Sequence, residues 1–329
     1  MPKVLSTVTP QRFERFGVKF PEGWEVTYID FPYTDEELIN KAKGCDYLLA
    51  NATHPVSGAV IKANPQLKCI HSEGVAFDKI DIQTAKEMGI PVCNCRGANA
   101  GGVAEHTIAL MLAGLRRIAL SDERIKNEKD NYSGIKNDYL AAGVHELGGK
   151  HIGFVGMGAI AKEAVKRLQN WNVTISYYDV FRPTPEVEKQ LNIDYMPFEE
   201  LIKVCDIISF HVPVTPQTKH MLNAEALKTM KPNALIVNTA RGEVIDQPAL
   251  AKALEDGTIY GAALDVLDPD IPSADHVLLN MSEDASKKIT FTPHIGGMTD
   301  EAFMTMLNTV VSNFQRVENG EQPINIVNK

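Results

Sequence analysis

Three short segments carry side chains whose types could act on a carbonyl group: Asn238-Thr239-Ala240-Arg241-Gly242, Gly261 to Asp270, and Thr292-Pro293-His294-Ile295-Gly296-Gly297. They offer a fixed cation, carboxylates and a histidine. The planar guanidinium of Arg241 can donate two parallel hydrogen bonds, which suits a carboxylate with a carbonyl beside it. A histidine next to a carboxylate becomes more basic and can stay protonated, ready to donate to a carbonyl oxygen. Taken singly, an arginine is most often a surface ion pair and a histidine most often a satisfied structural group. Only their setting decides.

A glycine-rich run supplies that setting. An apolar strand that begins at His151 runs into Gly153-Phe154-Val155-Gly156-Met157-Gly158-Ala159-Ile160-Ala161, and a helical pattern opens after it. A second apolar run, Val173 to Tyr178, ends in Asp179, roughly 20 residues downstream, as a dinucleotide-binding βαβ unit requires. Gly156 makes the tight turn. Gly158 has no side chain, so a pyrophosphate can approach the helix N-terminus near Ala159 and Ile160. Ala161 is small enough for close helix–strand packing. Asp179 can accept hydrogen bonds from a ribose diol, and its charge repels a 2′-phosphate, so NAD is expected rather than NADP despite nearby Arg182. Beside a nicotinamide, the cation, carboxylate and histidine suffice for reversible reduction of a 2-keto acid.

The elements that must position these groups can be read from periodicity. Val4 to Thr7, Glu25 to Ile29, Tyr47 to Ala50, Leu67 to Ile70 and Pro91 to Cys93 read as strands. Asp35 to Ala42 reads as a helix capped by Thr34, and Ile82 to Met88 as a helix stopped by Gly89. Thr107 to Leu120 predicts a long buried helix, and the polar stretch from Ser121 to Lys150 predicts a mobile connection. Six strands follow: His151 to Val155, Val173 to Tyr178, Asp206 to His211, Ala234 to Asn238, Tyr260 to Leu264 and Lys288 to Thr292. Thr299 to Glu318 closes the chain as a helix. Strands alternating with helices predict α/β architecture with parallel sheets covered on both faces.

Composition narrows the partners. The chain has 329 residues, more than one core usually holds, so two domains are expected. Its net charge of −9, without basic blocks, disfavours nucleic acid or an anionic membrane as the main partner. No apolar run approaches the ~20 residues of a membrane span. The N-terminus lacks a signal-peptide layout, which predicts a cytoplasmic protein. Cys45, Cys69, Cys93, Cys95 and Cys205 form neither a disulfide framework nor a zinc spacing, so no metal is expected.

Several ordered motifs together resemble the D-isomer-specific 2-hydroxyacid dehydrogenase family over nearly the whole chain. They are Gly153 to Ala161 with Asp179, Asp206 to Pro213, Met230 to Asp246, Gly261 to Asp270 and Thr292 to Gly297, preceded by Gly74-Val75-Ala76-Phe77-Asp78 and Val103-Ala104-Glu105-His106. The resemblance implies two doubly wound parallel-sheet domains. A Rossmann NAD-binding domain, 100–297, would be inserted into a flavodoxin-like substrate domain, 1–99 and 298–329, with a crevice that closes on ligand. It also implies roles. Arg241 would bind the substrate's carboxylate and carbonyl, and His294 would be the acid in reduction and the base in oxidation. Asp270 would stand where the family usually has a glutamate orienting the histidine, with Asp268 and Asp275 as nearby alternatives. Backbone N–H groups at Val75 and Ala76 would hold the carboxylate, and Ala76 departs from the usual glycine. The cofactor would meet Gly156, Gly158, Ala159 and Ile160 at the phosphates, Asp179 at the ribose, and His211, Val212, Pro213 and Thr218 around the adenosine half. Thr239, Ala240, Arg241, Asp265 and His294 would lie towards the nicotinamide.

The loop Ala50-Asn51-Ala52-Thr53-His54 resembles the family loop that faces substrate. It lacks the arginines that phosphoglycerate dehydrogenases place there, and with the sequence stopping soon after Gly320 a regulatory domain is not expected. Formate dehydrogenases carry a glutamine in place of the acid. D-Lactate, D-2-hydroxyisocaproate, glyoxylate, hydroxypyruvate or another short acid remain as substrates. His54 and His71 could each touch the substrate, with a loop role as the favoured reading, and His106 reads as a residue that caps or packs the long helix. That helix would make a homodimer interface. The alternative reading is a corepressor-like NAD(H)-binding protein of the same fold with little turnover.

Overall fold

Short, fully buried and mostly apolar runs such as Tyr47–Ala50 and Leu235–Asn238 build two parallel sheets. The computed structural model describes residues 1–329. The chain divides into one unit made of Met1–Asn99 with Met298–Lys329, and a second made of Ala100–Gly297.

The first unit has strands β1 (Lys3–Ser6), β2 (Glu25–Tyr28), β3 (Tyr47–Ala50), β4 (Cys69–Ser72) and β5 (Val92–Cys93), in the order β2-β1-β3-β4-β5. This is the flavodoxin-like order. The helix Asp35–Ala42 begins with a complete capping box: the Thr34 side chain accepts from the Glu37 N–H, and the Glu37 carboxylate accepts from the Thr34 N–H. The helix Asp300–Glu318 buries Leu307, Val310 and Phe314 in a core shared with Val4, Tyr47 and Cys69.

The second unit has β6 (His151–Val155), β7 (Thr174–Tyr178), β8 (Asp194–Tyr195), β9 (Ile207–Phe210), β10 (Leu235–Asn238), β11 (Gly261–Leu264) and β12 (Ile289–Phe291), in the order β12-β11-β10-β9-β6-β7-β8. Counted from β6, six of them have the Rossmann arrangement 3-2-1-4-5-6, and β12 extends one edge. The sheet has one strand beyond the six expected. The extra strand, β8, has only two residues, too few to show a period.

Two expectations are corrected. The long helix spans Ala100–Arg116 and stops where Arg117 turns left-handed at φ 49°. It starts early because packing on β10, β11 and the helix Ala159–Leu168 outweighs the poor helix propensity of Gly101 and Gly102. The stretch after it is not a bare connection. It holds the helices Ile118–Asn127 and Tyr132–Ala142, clamped by Arg124, which pairs with Asp138 at 2.9 Å and with Glu128 at 2.6 Å.

Candidate active site

Every neighbouring pair in the second sheet is parallel, so all strand C-termini share one edge. Gly156 follows β6, Asp179 follows β7, His211 follows β9, Arg241 follows β10, Asp265 follows β11 and His294 follows β12. Strand order reverses at β6, and in open α/β sheets ligands bind outside the carboxyl ends at such a point.

The glycine turn is shaped for close approach. Gly156 has φ +95°, and a Cβ there would lie 2.6 Å from the His211 carbonyl oxygen. Around Gly158 a Cβ would meet nothing within 4 Å, so the start of the helix Ala159–Leu168 is open. No acid occupies its first turn, and first-turn N–H groups lack intrahelical partners, which favours an anion. Asp179 accepts from the Met157 N–H at 2.6 Å and the Phe181 N–H at 2.8 Å, which holds it beside the turn. Two carboxylate oxygens have acceptor capacity left for a diol. Arg182 is engaged by both oxygens of Glu188, at 2.7 and 3.0 Å, rather than left free for a phosphate. These residues fit NAD.

The residues expected on the adenosine side share one loop: the Thr218 hydroxyl donates to the Pro213 carbonyl at 2.6 Å, and Val212 is half-buried beside it. His211 Nε2 lies 2.8 Å from Ser209 Oγ, and its buried Nδ1 has no partner. Burial lowers its pKa to about 3, so it is no proton donor near neutrality.

Arg241 is exposed, makes no ion pair, and donates only to the Ala240 carbonyl. Its turn is held by buried Asn238, whose amide donates to the Arg241 carbonyl at 2.9 Å and whose oxygen accepts from the Ala240 N–H at 2.9 Å. Next to it, a Cβ on Gly242 would lie 2.1 Å from the Leu267 carbonyl carbon, so only glycine lets this turn rest on the loop leading to Asp270. Thr239 is buried, its hydroxyl 3.0 Å from that of Thr107.

His294 has a left-handed backbone, φ +54°, and its Nδ1 lies 2.8 Å from both oxygens of Asp270. Aspartate therefore makes the contact directly, despite its shorter side chain. Asp275 instead accepts from the Ser273 hydroxyl, and Asp268 contributes a carbonyl to His276. The His294 and Asp270 side chains are 44% and 57% exposed. A pair that open contributes at most about 1 kcal/mol to stability, so holding the fold is a poor explanation for it. With Nδ1 committed to Asp270, Nε2 remains available.

Asp265 is buried. Its carboxylate accepts from the Thr292 hydroxyl and the Ile295 and Gly296 N–H groups, with His106 Nε2 at 3.3 Å. Burial pushes its pKa up, but these contacts outweigh burial and hold it below the ordinary value.

In the first unit, the turn after β4 points its carbonyls inward. Val75 O accepts from Asn94 at 2.6 Å, Ala76 O from the Ser72 hydroxyl at 2.6 Å, and Gly74 O from the Cys95 N–H at 2.9 Å. The Val75 and Ala76 N–H groups make no hydrogen bond within the protein. His71 is not in a loop. It lies in β4, fully buried, its Nδ1 2.7 Å from the Ser72 carbonyl and its Nε2 accepting from Asn313 at 2.9 Å. His54 lies in the loop after β3, stacked on Phe31 with ring centroids 4.2 Å apart. Periodicity hid the parts played by Asn238, Thr292 and His106, because their partners are set by tertiary packing.

Residues 108–296 match the family described as D-isomer specific 2-hydroxyacid dehydrogenase, NAD binding domain. The chain is 38% identical to a glyoxylate reductase of Thermofilum pendens, over 91% of this chain and 86% of that protein. Its structure is similar to the apo form of Rhodotorula graminis D-mandelate dehydrogenase, with TM-score 0.85 and 29% identity, covering 100% of this chain and 98% of the other. It is also similar to the NAD-complexed D-isomer specific 2-hydroxyacid dehydrogenase of Lactobacillus delbrueckii ssp. bulgaricus, with TM-score 0.81 and 26% identity, covering 99% and 100%. The chain belongs to the D-isomer-specific 2-hydroxyacid dehydrogenase family. It is an NAD-dependent oxidoreductase acting on a CH–OH group, with 2-keto and 2-hydroxy acids as its class of substrate.

Proposed function

We propose that the chain reduces a short 2-keto acid to the D-2-hydroxy acid, with His294 as acid/base, Asp270 as its partner and Arg241 as the substrate's anchor. The observation that carries this reading is the Asp270–His294 contact, 2.8 Å from each carboxylate oxygen to Nδ1. NADH, when bound, supplies the hydride. Arg241, without an ion-pair partner, binds the carboxylate and polarises the ketone. The unpaired N–H groups of Val75 and Ala76 also serve the carboxylate, which makes 1–99 with 298–329 the substrate domain and 100–297 the cofactor domain. Protonated His294 donates from Nε2 to the ketone oxygen as the carbon accepts the hydride, and Asp270 keeps Nδ1–H in place meanwhile. In oxidation the same nitrogen takes the hydroxyl proton.

For the cofactor, Gly156, Gly158, Ala159 and Ile160 face the pyrophosphate and Asp179 the ribose. His211, Val212, Pro213 and Thr218 surround the adenosine half, and Thr239, Ala240, Arg241, Asp265 and His294 lie towards the nicotinamide.

Among substrates, glyoxylate and hydroxypyruvate are proposed first. The 38% identical relative is named for glyoxylate, and the Ala76 methyl, where the family usually has glycine, narrows the space at the carboxylate. NADH oxidation by the purified protein against glyoxylate, hydroxypyruvate, pyruvate, 2-ketoisocaproate and phenylpyruvate tests this. Fastest turnover on the two smallest polar acids is expected. Equal or faster turnover of phenylpyruvate would overturn the substrate choice, and no turnover of any acid the reaction.

We also propose a cytoplasmic homodimer. The five cysteines are free and buried, which suits a reducing compartment. The apolar side of the helix Ala100–Arg116, expected to pair subunits, is used inside its own unit. Exposed Ile118, Ile125, Tyr132 and Leu140 on the next two helices are the better candidate surface.

A further inference from the structure

His294 must hold a left-handed backbone, φ +54°, which a residue with a side chain rarely adopts. Something has to hold it there. Its N–H donates to the Asp265 carbonyl at 2.8 Å, and the next two N–H groups, of Ile295 and Gly296, each donate to the Asp265 carboxylate at 2.9 Å. Thr292, two residues before the histidine, gives its hydroxyl proton to the same carboxylate. One buried aspartate thus gathers both sides of the histidine.

The anchor has a further member on a different element. His106, on the helix Ala100–Arg116, places Nε2 2.9 Å from Thr292 Oγ1 and 3.3 Å from Asp265 Oδ1. Thr292 has one hydroxyl proton and spends it on Asp265, so its oxygen can only accept from His106. His106 Nε2 therefore carries a hydrogen and donates. We propose that His106 is a positioning residue for the reaction: through Thr292 and Asp265 it locks the left-handed turn that presents His294 to Asp270. This rests on the reading of His294 as the acid/base. His106 does not touch the reacting atoms. It joins the long helix to the loop that carries His294.

The test compares His106→Phe, which keeps a ring and loses the donor, with His106→Gln, whose amide can restore a donor at the Nε2 position. Thr292→Val and Thr292→Ser form a parallel pair, and His294→Asn is the control. Steady-state reduction of glyoxylate or the best keto acid is measured against pH and in D2O, beside the thermal midpoint. His106→Phe and Thr292→Val are expected to lower kcat at least tenfold with KM for NADH within threefold. The solvent isotope effect should rise as proton transfer becomes limiting, and His106→Gln and Thr292→Ser should recover most of the rate. A merely structural role would lower the active fraction and leave the isotope effect and pH profile unchanged. That outcome, or a His106→Phe variant as fast as the parent while His294→Asn is inactive, would overturn the positioning role. An active His294→Asn would instead overturn the acid/base reading on which it rests.

Discussion

Asp270 carries one methylene fewer than the glutamate usual in this family, yet both its oxygens reach His294 Nδ1. The loop that leads to Asp270 lies against Gly242, where an added Cβ would meet the backbone of Leu267 and Asp268. Gly242→Ala places a methyl group inside that backbone contact and is expected to cost about 3 kcal/mol, read as a drop in the urea midpoint; an unchanged midpoint would mean the two loops part freely. Asp179→Ser removes the charge opposed to a 2′-phosphate, so KM for NADPH should fall at least tenfold relative to that for NADH. No change in that ratio would show that Asp179 does not set the preference. The candidate residues for the chemistry were legible because each sits in a short motif at a strand end. Asn238, Thr292 and His106 were not, since His106 and Thr292 meet across 186 positions of sequence. That Asp270, and not Asp268 or Asp275, faces His294 was implied by the resemblance and needed the folded loop to be seen.

At the scale of elements, periodicity found strands best where they are buried on both faces. Tyr47–Ala50 and His151–Val155 have the limits expected from their apolar runs. It failed where the signal is short or opposed by propensity: at the two-residue β8, and at a helix that begins with glycines and ends on a left-handed arginine. Local capping chemistry was more reliable. Thr34 was readable as an N-cap, and the folded chain adds the reciprocal bond from Glu37. Thr34→Ala removes one half of that box and should destabilise the protein by about 1 kcal/mol in urea titration, with activity untouched. A loss near zero would mean that the Asp35–Ala42 helix is held by packing of Leu38 and Ala42 alone.

At the scale of the whole molecule, alternating patterns predict parallel α/β sheets, the resemblance implies the two strand orders, and the family match covers the NAD-binding unit. Buried histidines give the fold a pH dependence that no pattern announces. His71 donates through Nδ1 and accepts through Nε2, so a second proton would face the Asn313 amide. Burial lowers its pKa from 6.5 to about 4, against the opposing bond to Ser72. The unfolded chain takes up a proton below about pH 6.5 that the folded chain refuses until about pH 4, so stability falls as the pH drops through that window. Between pH 6.5 and 5 this one group costs roughly 2 kcal/mol. His71→Gln cannot titrate and should show a flatter urea midpoint between pH 7 and 5; a loss as steep as the parent's would place the effect elsewhere. Reaction chemistry has its own pH signature. An imidazolium loses its proton at lower pH beside an amide than beside a carboxylate. The most direct measurement is kcat/KM for keto-acid reduction by NADH against pH, in the parent, Asp270→Asn and His294→Asn. The expected result is at least tenfold loss with an altered pH profile in Asp270→Asn, and loss of about 10²–10⁴ in His294→Asn. A His294→Asn enzyme that retains the parent's rate and pH profile would contradict the assignment of the proton to this histidine.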